Sequence, residues 1–282
     1  MKRGLGKYFP IFALPTLVAF LIAFLVPFFL GFCLSFTKFT TISDAKFIGI
    51  QNYKALFLGR NDFSNALWFT IKFTVVSVIT VNVFAFILAL LLTRGVKGTN
   101  FFRTIFFSPN LIGGIVLGYI WQLIINAFLM RNGVDITYAA KYGFWGLVLV
   151  MNWQLIGYMM VIYVAGLQSI PVELKESAAI DGAGNWSFLK NVTLPLMSSS
   201  FTICSFLTLT NAFKLFDQNY ALTNGAPNNQ TAMLALDIYK TFYGRIGSEG
   251  IGQAKAVLFF LLVSFIAIVQ LKITEKYEER NI

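Results

Sequence analysis

Histidine is absent from this 282-residue sequence, and cysteine and charged residues are scarce. Without histidine there is no Ser-His-Asp or Cys-His nucleophile system and no zinc site with imidazole ligands. Cys33 and Cys204 both lie in long apolar runs, which is typical of small buried residues and gives no basis for a structural disulfide. These absences leave the chain little catalytic chemistry.

The composition indicates a polytopic membrane protein. Charged residues make up 12% of the chain, against about 25% in soluble domains, and hydrophobic residues make up 57%. This excludes a disordered chain, a collagen and a disulfide scaffold. The net charge of +10 would suit a nucleic-acid partner, but basic residues beside anionic lipid explain it better in so apolar a chain. We therefore expect contact with membrane lipid and none with nucleic acid.

Long stretches without charged residues predict six transmembrane helices, because about 20 apolar residues cross a bilayer. The predicted helices cover residues 11–36, 67–93, 104–127, 144–168, 196–216 and 255–273. The last stretch is short, and we expect Lys255 and Lys272 at its ends to reach toward the membrane interfaces. The expected fold class is an all-α polytopic membrane protein in which residues 1–282 form one transmembrane domain.

The first predicted helix is too long for the apolar region of a cleaved signal peptide, although Lys2, Arg3 and Lys7 precede it. Pro15 and Pro27 lie inside this helix, and we expect them to kink it.

Six spans place both termini on the same side of the membrane. The basic N-terminal residues and the acid-free segment that holds Arg94, Lys97 and Arg103 favour the cytoplasmic side. The expected outer loops are residues 37–66, 128–143 and 217–254, all longer than a simple hairpin needs.

Residues 169–195, between the fourth and fifth predicted helices, have the pattern of a short helix and a tight turn. Pro171 suits a first helical turn, and Gly182 and Gly184 can end a helix in the left-handed conformation. Pro195 then starts the next span. The small residues of this segment suit insertion into a groove on a partner, and an ordinary interfacial helix with a glycine cap is the alternative.

The spacing of Glu176-Ser177-Ala178, Gly182, Val192 and Leu194-Pro195 resembles the EAA loop of the integral membrane permease subunits of bacterial ABC importers. Ser177 replaces an alanine of that pattern, and Val192 replaces an isoleucine. Further motifs resemble the maltose- and multiple-sugar-type permeases, and they lie at Ser35-Phe36, at residues 47–53, at Phe102-Arg103 with Pro109, at residues 170–183, and at residues 222–227, where Ala226 replaces a glycine.

The resemblance implies the type I ABC importer permease fold and a role as the transmembrane subunit of an ATP-driven, binding-protein-dependent importer of a sugar or oligosaccharide. The implied location is the bacterial plasma membrane. The implied partners are a second permease subunit, two cytoplasmic ATPase subunits and an extracellular sugar-binding protein. The sequence contains no Gly-x-x-x-x-Gly-Lys-Ser/Thr loop. We therefore expect no enzyme activity, cofactor or metal in this chain, with ATP and Mg bound by the ATPase.

The residues implied to contact the ATPase are Glu176, Ser177, Ala178, Asp181 and Gly182. A local role for Asp181 in capping the turn is the alternative.

Polar residues inside spans are costly and often functional. Two helical faces at similar depth, which also match the faces lining the maltose permease cavity, predict a substrate path. They are Asn152, Leu155, Ile156 and Met159 in the fourth span and Thr208, Asn211, Ala212 and Leu215 in the fifth. The alternative for these side chains is packing between helices.

On the outer side, Asp217, Thr223, Gly225 and Pro227 are candidates for a gate or a docking lip for the binding protein. A plain ordered turn is the alternative, because Asn, Gly and Pro are turn-forming residues.

Other functions fit the sequence less well. A secondary transporter would need ionisable groups inside its spans, and the centres of the predicted spans lack Asp and Glu. A membrane-embedded enzyme would lack general acids and bases. An importer of a phosphorylated solute such as a glycerol phosphate stays open, because Lys72 and Lys214 lie near helix ends.

Overall fold

The computed structural model describes residues 5–58, 62–95, 97–244 and 246–278, and this part of the chain is almost entirely helical. Lys2 and Arg3, used above for orientation, lie outside these ranges. The α-helices are α1 (Leu5–Phe20), α2 (Val26–Leu34), α3 (Gln51–Leu58), α4 (Phe63–Leu92), α5 (Thr99–Phe107), α6 (Gly114–Leu129), α7 (Ala140–Gln168), α8 (Val172–Ile180), α9 (Asn185–Phe188), α10 (Leu194–Leu196), α11 (Ser198–Phe213), α12 (Asp217–Leu222), α13 (Leu234–Gly244) and α14 (Glu249–Glu278). One antiparallel ribbon pairs β1 (Thr37–Lys38) with β2 (Lys46–Phe47).

Segments long and apolar enough to cross a membrane agree with the expected all-α membrane fold. In the described residues there are five, and a bent pair of helices makes a sixth. They are Ile11–Leu34, Phe63–Leu92, Gly114–Asn132, Ala140–Gln168 and Glu249–Lys272, with the bent pair at Asn185–Leu196 and Ser198–Phe213.

The first span changes its winding where the sequence predicts a kink. A π turn, Leu21–Leu25, separates α1 from α2 just before Pro27. Proline has no N–H and its ring crowds the preceding turn, so a wider turn at this point relieves both problems. Pro15 lies within α1, which continues through it.

The predicted bounds of the third span, 104–127, are wrong. The chain forms α5 first, then a 3₁₀ turn at Ser108–Leu111, and only then the membrane-length helix from Gly114. Pro109 stands at the start of the 3₁₀ turn, and Gly113 has the extended ψ of 138°. An apolar stretch without charges therefore contains a proline and glycine break that a count of charge-free residues does not detect.

The fifth span is also not the straight helix predicted over 196–216. Asn185–Leu196 and Ser198–Phe213 meet at an angle of 67°. Pro195 was expected to start this span, but it lies inside the first arm, after a π turn at Leu189–Thr193. Because proline disturbs the helix on its N-terminal side, the wide turn before Pro195 follows from this residue, whereas the bend lies just after it, at Met197.

The sixth span was predicted too short, because helix α14 begins six residues before the predicted start at 255. Lys255 does not reach toward a membrane interface as expected. It is 2% exposed, and its Nζ donates a hydrogen bond to Thr241 Oγ1 at 2.8 Å. The position of charged residues in the sequence predicts a helix end at Lys255. In the structure this lysine lies inside α14 and is buried.

The chain divides into two compact units, Met1–Phe63 with Ile238–Leu261, and Ser64–Asp237 with Leu262–Ile282. In the first unit two of the motifs that carry the permease resemblance meet, Ser35-Phe36 and residues 47–53. The Asn52 side-chain amide donates to the carbonyls of Ser35 and Thr37 at 2.8 Å each. The Ser35 hydroxyl lies 2.6 Å from the Tyr53 hydroxyl. The two segments singled out in the sequence thus hold one another next to the β1–β2 ribbon.

Helix α7 is at the centre of the second unit. Helix α4 packs into the same core through a stripe of small residues, and this lets backbones approach closely in a membrane. The buried stripe consists of Thr70, Thr74, Ser77, Val81, Ala85 and Ala89.

A polar network joins three helices inside this core. The Tyr163 hydroxyl on α7 donates to Asn82 Oδ1 on α4 at 2.7 Å, and Asn82 Nδ2 donates to Thr208 Oγ1 on α11 at 3.3 Å. Tyr163 and Thr208 are fully buried, and Asn82 is 9% exposed. Because hydrocarbon offers no alternative partner, these bonds fix how the three helices pair.

The backbones of helices α5 and α7 approach each other closely at Gly157. A Cβ built on Gly157 would overlap the Phe106 carbonyl. We expect Gly157→Ala to lower the free energy of unfolding by about 1–3 kcal/mol, as overpacking does in other cores. The measurement is thermal unfolding of the purified chain in detergent.

Gly113→Ala is the matched control for this variant. Gly113 has φ −58° and no heavy atom within 4 Å of its ideal Cβ, so its substitution should leave the melting temperature nearly unchanged. Equal effects of the two substitutions would contradict the close approach of α5 and α7.

The Asn82–Tyr163 hydrogen bond is testable by a double-mutant cycle with Asn82→Val, Tyr163→Phe and the double variant. We expect a coupling free energy of about 0.6 kcal/mol, and at most about 1.7, the range found for hydrogen bonds within membranes. Unfolding in mixed micelles gives the change in the free energy of unfolding for each of the three variants relative to the wild type. Strictly additive losses would mean that the bond does not form.

Candidate functional site

The turn after α8 has the geometry expected from its glycine. The Ala183 amide donates to the Ala178 carbonyl at 2.9 Å, and the Gly182 amide donates to the Ala179 carbonyl at 3.2 Å. This pair of bonds defines a Schellman turn, which needs a left-handed residue after the helix. Gly182 supplies it with φ +74°. The left-handed conformation predicted for Gly182 is confirmed. Gly184 was predicted to be able to adopt it as well, but it has φ −70° and is the N-cap residue of α9.

Helix α8 starts one residue later than expected. Pro171 was predicted in the first helical turn, but it has the extended ψ of 137° and caps the helix from outside. Its fixed φ suits both positions, so the sequence alone does not separate them.

The exposed surface of this segment contains the residues predicted to contact an ATPase. Glu176, Ser177, Asp181 and Gly182 are exposed, and Ala178 is half-buried. Two large apolar side chains are also open, with Ile180 87% exposed and Trp186 76% exposed. Among the described residues, none forms a hydrogen bond with the Asp181 carboxylate, so the turn is closed by backbone bonds alone. Such a surface is typical of a site that a partner covers.

Most side chains of the two predicted substrate faces pack inside the second unit. Met159 and Ala212 are fully buried, and Ile156 is half-buried. Thr208 donates to the Cys204 carbonyl at 2.8 Å and accepts from Asn82. These positions therefore have the contacts expected of residues that hold helices together.

Asn152 joins α7 to α4. Its Nδ2 donates to Thr80 Oγ1 at 2.9 Å and to the Val148 carbonyl at 2.8 Å. Its Oδ1 is buried and has no hydrogen-bond partner in the described part of the chain. The hydrogen-bonding capacity of this amide is therefore only partly used.

Three of the predicted positions, Leu155, Asn211 and Leu215, line a cavity of about 270 Å³ together with Asp217 from the predicted outer group. The full lining is Asn110, Met151, Gln154, Leu155, Asn211, Lys214, Leu215, Phe216, Asp217 and Gln218. The lining mixes amides, one cation, one carboxylate and aliphatic side chains. Such a lining suits a polar ligand with many hydroxyl groups better than an apolar one.

Two glutamines of this cavity were missed in the sequence. Gln218 Nε2 donates to Gln154 Oε1 at 2.6 Å, and Gln154 Nε2 donates to the Ile112 carbonyl at 3.3 Å. The chain of amides thus links α12, α7 and the backbone break before α6. Gln154 is a polar residue within a predicted span, which was a usable signal. Gln218 follows Asp217 in a segment read as a loop, and no sequence pattern pointed to it.

Helix α12 packs closely against α6. A Cβ on Gly118 would lie 2.8 Å from the Ala221 Cβ, and Gln122 Nε2 donates to the Leu222 carbonyl at 3.0 Å. The close approach holds the α12 wall of the cavity in place.

The loop after α12 is tightly ordered. Thr223 and Gly225, predicted at an outer lip, are buried, and Pro227 is half-buried. Thr223 Oγ1 accepts bonds from Asn219 Nδ2 and Thr231 Oγ1 at 3.1 and 3.0 Å. Ala226, which replaces a glycine of the sugar permeases, needs no left-handed conformation, because its φ is not positive.

No group of three or more His, Cys, Asp or Glu side chains that could hold a metal ion occurs among the described residues.

Solved structures with this fold include the bacterial ABC transporter that imports the acidic polysaccharide alginate. One of its chains superposes with a TM-score of 0.75 at 21% identity, covering 98% of this chain and 96% of that one. A second structure, of the alginate transporter in complex with its periplasmic protein bound to an alginate pentasaccharide, gives a TM-score of 0.76 at 20% identity and the same coverage.

Sequence relatives extend over nearly the whole chain. A probable starch degradation products transport system permease protein of Thermoanaerobacterium thermosulfurigenes is 43% identical, covering 97% of this chain and 96% of the relative. A multiple sugar-binding transport system permease protein of Streptococcus mutans is 31% identical, with coverages of 86% and 87%. The family described as binding-protein-dependent transport system inner membrane component matches residues 74–277. The chain therefore belongs to this family of inner membrane components, which are multi-pass transport permeases that work with a binding protein.

Proposed function

We propose that the chain forms half of the translocation path of an ABC importer for a sugar or oligosaccharide. The observation that carries this proposal is its 43% identity, over nearly its full length, to a permease for starch degradation products. The same match favours a sugar over a phosphorylated solute, although Lys214 does line the cavity described above. The other half of the path would be a second permease subunit, most simply a different chain.

Residues 169–195 are the proposed contact with the ATPase subunits. Support comes from the exposed α8, the Schellman turn at Gly182, and the open side chain of Ile180. A turn closed by backbone hydrogen bonds would pass a movement of the ATPase subunits to the membrane helices better than a flexible loop, because the helix and the turn would move together. ATP and Mg would be bound and hydrolysed on the ATPase subunits, and this chain would hold no cofactor.

This assignment also orients the protein. If α8 meets a cytoplasmic ATPase, both termini lie in the cytoplasm, and the segment after α4 with Arg94 and Lys97 lies there too. That agrees with the excess of basic residues expected in short cytoplasmic segments.

Substrate contact by this subunit is proposed for Asn211, Leu155 and Leu215, which line the cavity of about 270 Å³ together with Gln154. Asn152 does not line this cavity, and it is proposed to support the wall through its hydrogen bond to Thr80. Ile156, Met159, Thr208 and Ala212 are proposed to shape this wall from behind. Amides next to aliphatic surface match the alternating hydroxyl and C–H groups of a sugar.

The binding protein is proposed to dock beside Asp217 and the loop after α12. Asp217 is exposed, and so are Asn224 and Asn228 on this loop. Thr223, Gly225 and Pro227 would give the loop its shape. A loop held by an internal network keeps its form when the partner arrives, which reduces the entropy lost on docking.

The coupling role is tested with Gly182→Val. A β-branched residue is strained at φ +74°, by about 1–2 kcal/mol or more, so the turn should change shape. We expect the variant to insert into the membrane normally and to lose most of the ATPase subunits on co-purification.

Gly184→Val is the matched control for the coupling test. Gly184 has an extended backbone and open space around its ideal Cβ, so this variant should keep its ATPase subunits. Normal assembly and transport with Gly182→Val would remove the coupling assignment.

The substrate path is tested with Asn211→Leu. Loss of one hydrogen bond to a sugar hydroxyl should weaken transport about 2- to 10-fold at limiting sugar, without a change in assembly. Uptake by proteoliposomes containing the whole importer is the measurement.

Thr210→Val serves as the control for the transport assay, because Thr210 bonds only to carbonyls of its own helix and does not line the cavity. Equal uptake by the Asn211 variant and the wild type would assign this face to helix packing.

A further inference from the structure

A larger cavity, of about 780 Å³, lies beside the proposed coupling segment within the second unit. Its walls come from the end of α4, the end of α7, the start of α8 and the return helix that begins with α9. The residues predicted to contact the ATPase, Glu176, Ser177, Ala178, Asp181 and Gly182, do not line this cavity.

The polar part of the cavity is positively charged. Arg94, just past the end of α4, and Lys175 on α8 both line it. No acidic residue occurs in the lining that the structure describes, and Glu173 and Glu176 of the same helix are not part of it. Within the described ranges, neither Arg94 nor Lys175 forms an ion pair. Two unneutralised cations around one space provide a site for an anion.

The rest of the lining is mainly apolar, with Thr93, Gln168, Asn185 and Thr193 as its neutral polar residues. Leu90 and Leu167, from the last turns of two membrane-spanning helices, line the cavity together with Leu189 and Trp186. The cavity therefore passes from hydrocarbon-like residues at the span ends to cations beyond them. An indole at this level is typical of a membrane interface.

We propose that this cavity binds the headgroup of an anionic phospholipid, with the phosphate between Arg94 and Lys175 and the start of the acyl chains against Leu90 and Leu167. Basic pockets at the cytoplasmic ends of transmembrane helices recognise acidic headgroups by this combination. A lipid in this position would contact both a spanning helix and the helix proposed to meet the ATPase.

A free phosphate has a negative charge like the headgroup, but it would leave the leucine side chains of the lining exposed to water. The apolar residues of the lining therefore favour the lipid. A neutral sugar would leave both cations without a counter-charge. The inference does not depend on which solute is transported, and its test reads lipid retention and not transport.

The test uses the whole assembled complex in nanodiscs of phosphatidylcholine, with or without phosphatidylglycerol. After mild detergent extraction, native mass spectrometry counts the lipids retained on this chain. We expect retention of phosphatidylglycerol over phosphatidylcholine. Replacing Arg94 and Lys175 together by Gln should reduce this retention about 25-fold, given the usual contribution of each basic residue near an anionic membrane.

Two controls separate a site from general surface charge. Lys97→Gln removes an exposed cation that does not line the cavity, and it should leave retention unchanged. Arg94→Lys keeps the charge and should retain most of the lipid. Equal loss with Lys97→Gln, or full retention by the double variant, would overturn the proposal.

Contact with Trp186 gives a second readout. Brominated phosphatidylglycerol should quench part of the tryptophan fluorescence of the complex, and Trp186→Phe should remove that part. Quenching that is identical with and without Trp186 contradicts a lipid in this cavity. Binding of inorganic phosphate to complexes in pure phosphatidylcholine, as strong as the binding of phosphatidylglycerol, would assign the cations to a free anion instead.

Discussion

The lack of hydrogen-bond partners in hydrocarbon is the constraint on which the rest of this structure depends. Backbone polar groups within hydrocarbon must be paired inside the protein, and buried polar side chains gain from partners on neighbouring helices. The bend of the fifth span centres on Met197, which is 1% exposed. The network of Asn82, Tyr163 and Thr208 is buried at the junction of three helices. The polar residues thereby decide which helix faces meet.

Close backbone approach is the second consequence of the same constraint. Helices in lipid gain no hydrophobic energy by pairing, so they rely on tight packing between small residues. Gly157 brings α7 against the backbone of α5, and Gly118 brings α6 against α12. The second contact positions α12, which contributes to the lining of the same cavity as Asn211.

The segment around α8 obeys different physics. It is exposed, and no residue of the helix is buried, so local backbone bonds shape it and packing contributes little. Few buried contacts within the chain therefore constrain its position. A protein partner on the open side and a lipid headgroup behind it would both supply contacts that the chain alone does not provide.

The sequence by itself determined the membrane class, the approximate number of spans, the short helix and tight turn within residues 169–195, and the left-handed glycine at 182, because these depend on local composition and on backbone rules. Only the tertiary structure decided that α5 is separate from the third span, that the fifth span is bent, and that Lys255 is buried. It also decided which polar side chains line a cavity. Asn211 and Thr208 lie three residues apart on one helix, yet one lines the cavity and the other bonds to Asn82. Helical periodicity shows which residues share a face, but the neighbouring helices determine which part of that face stays open.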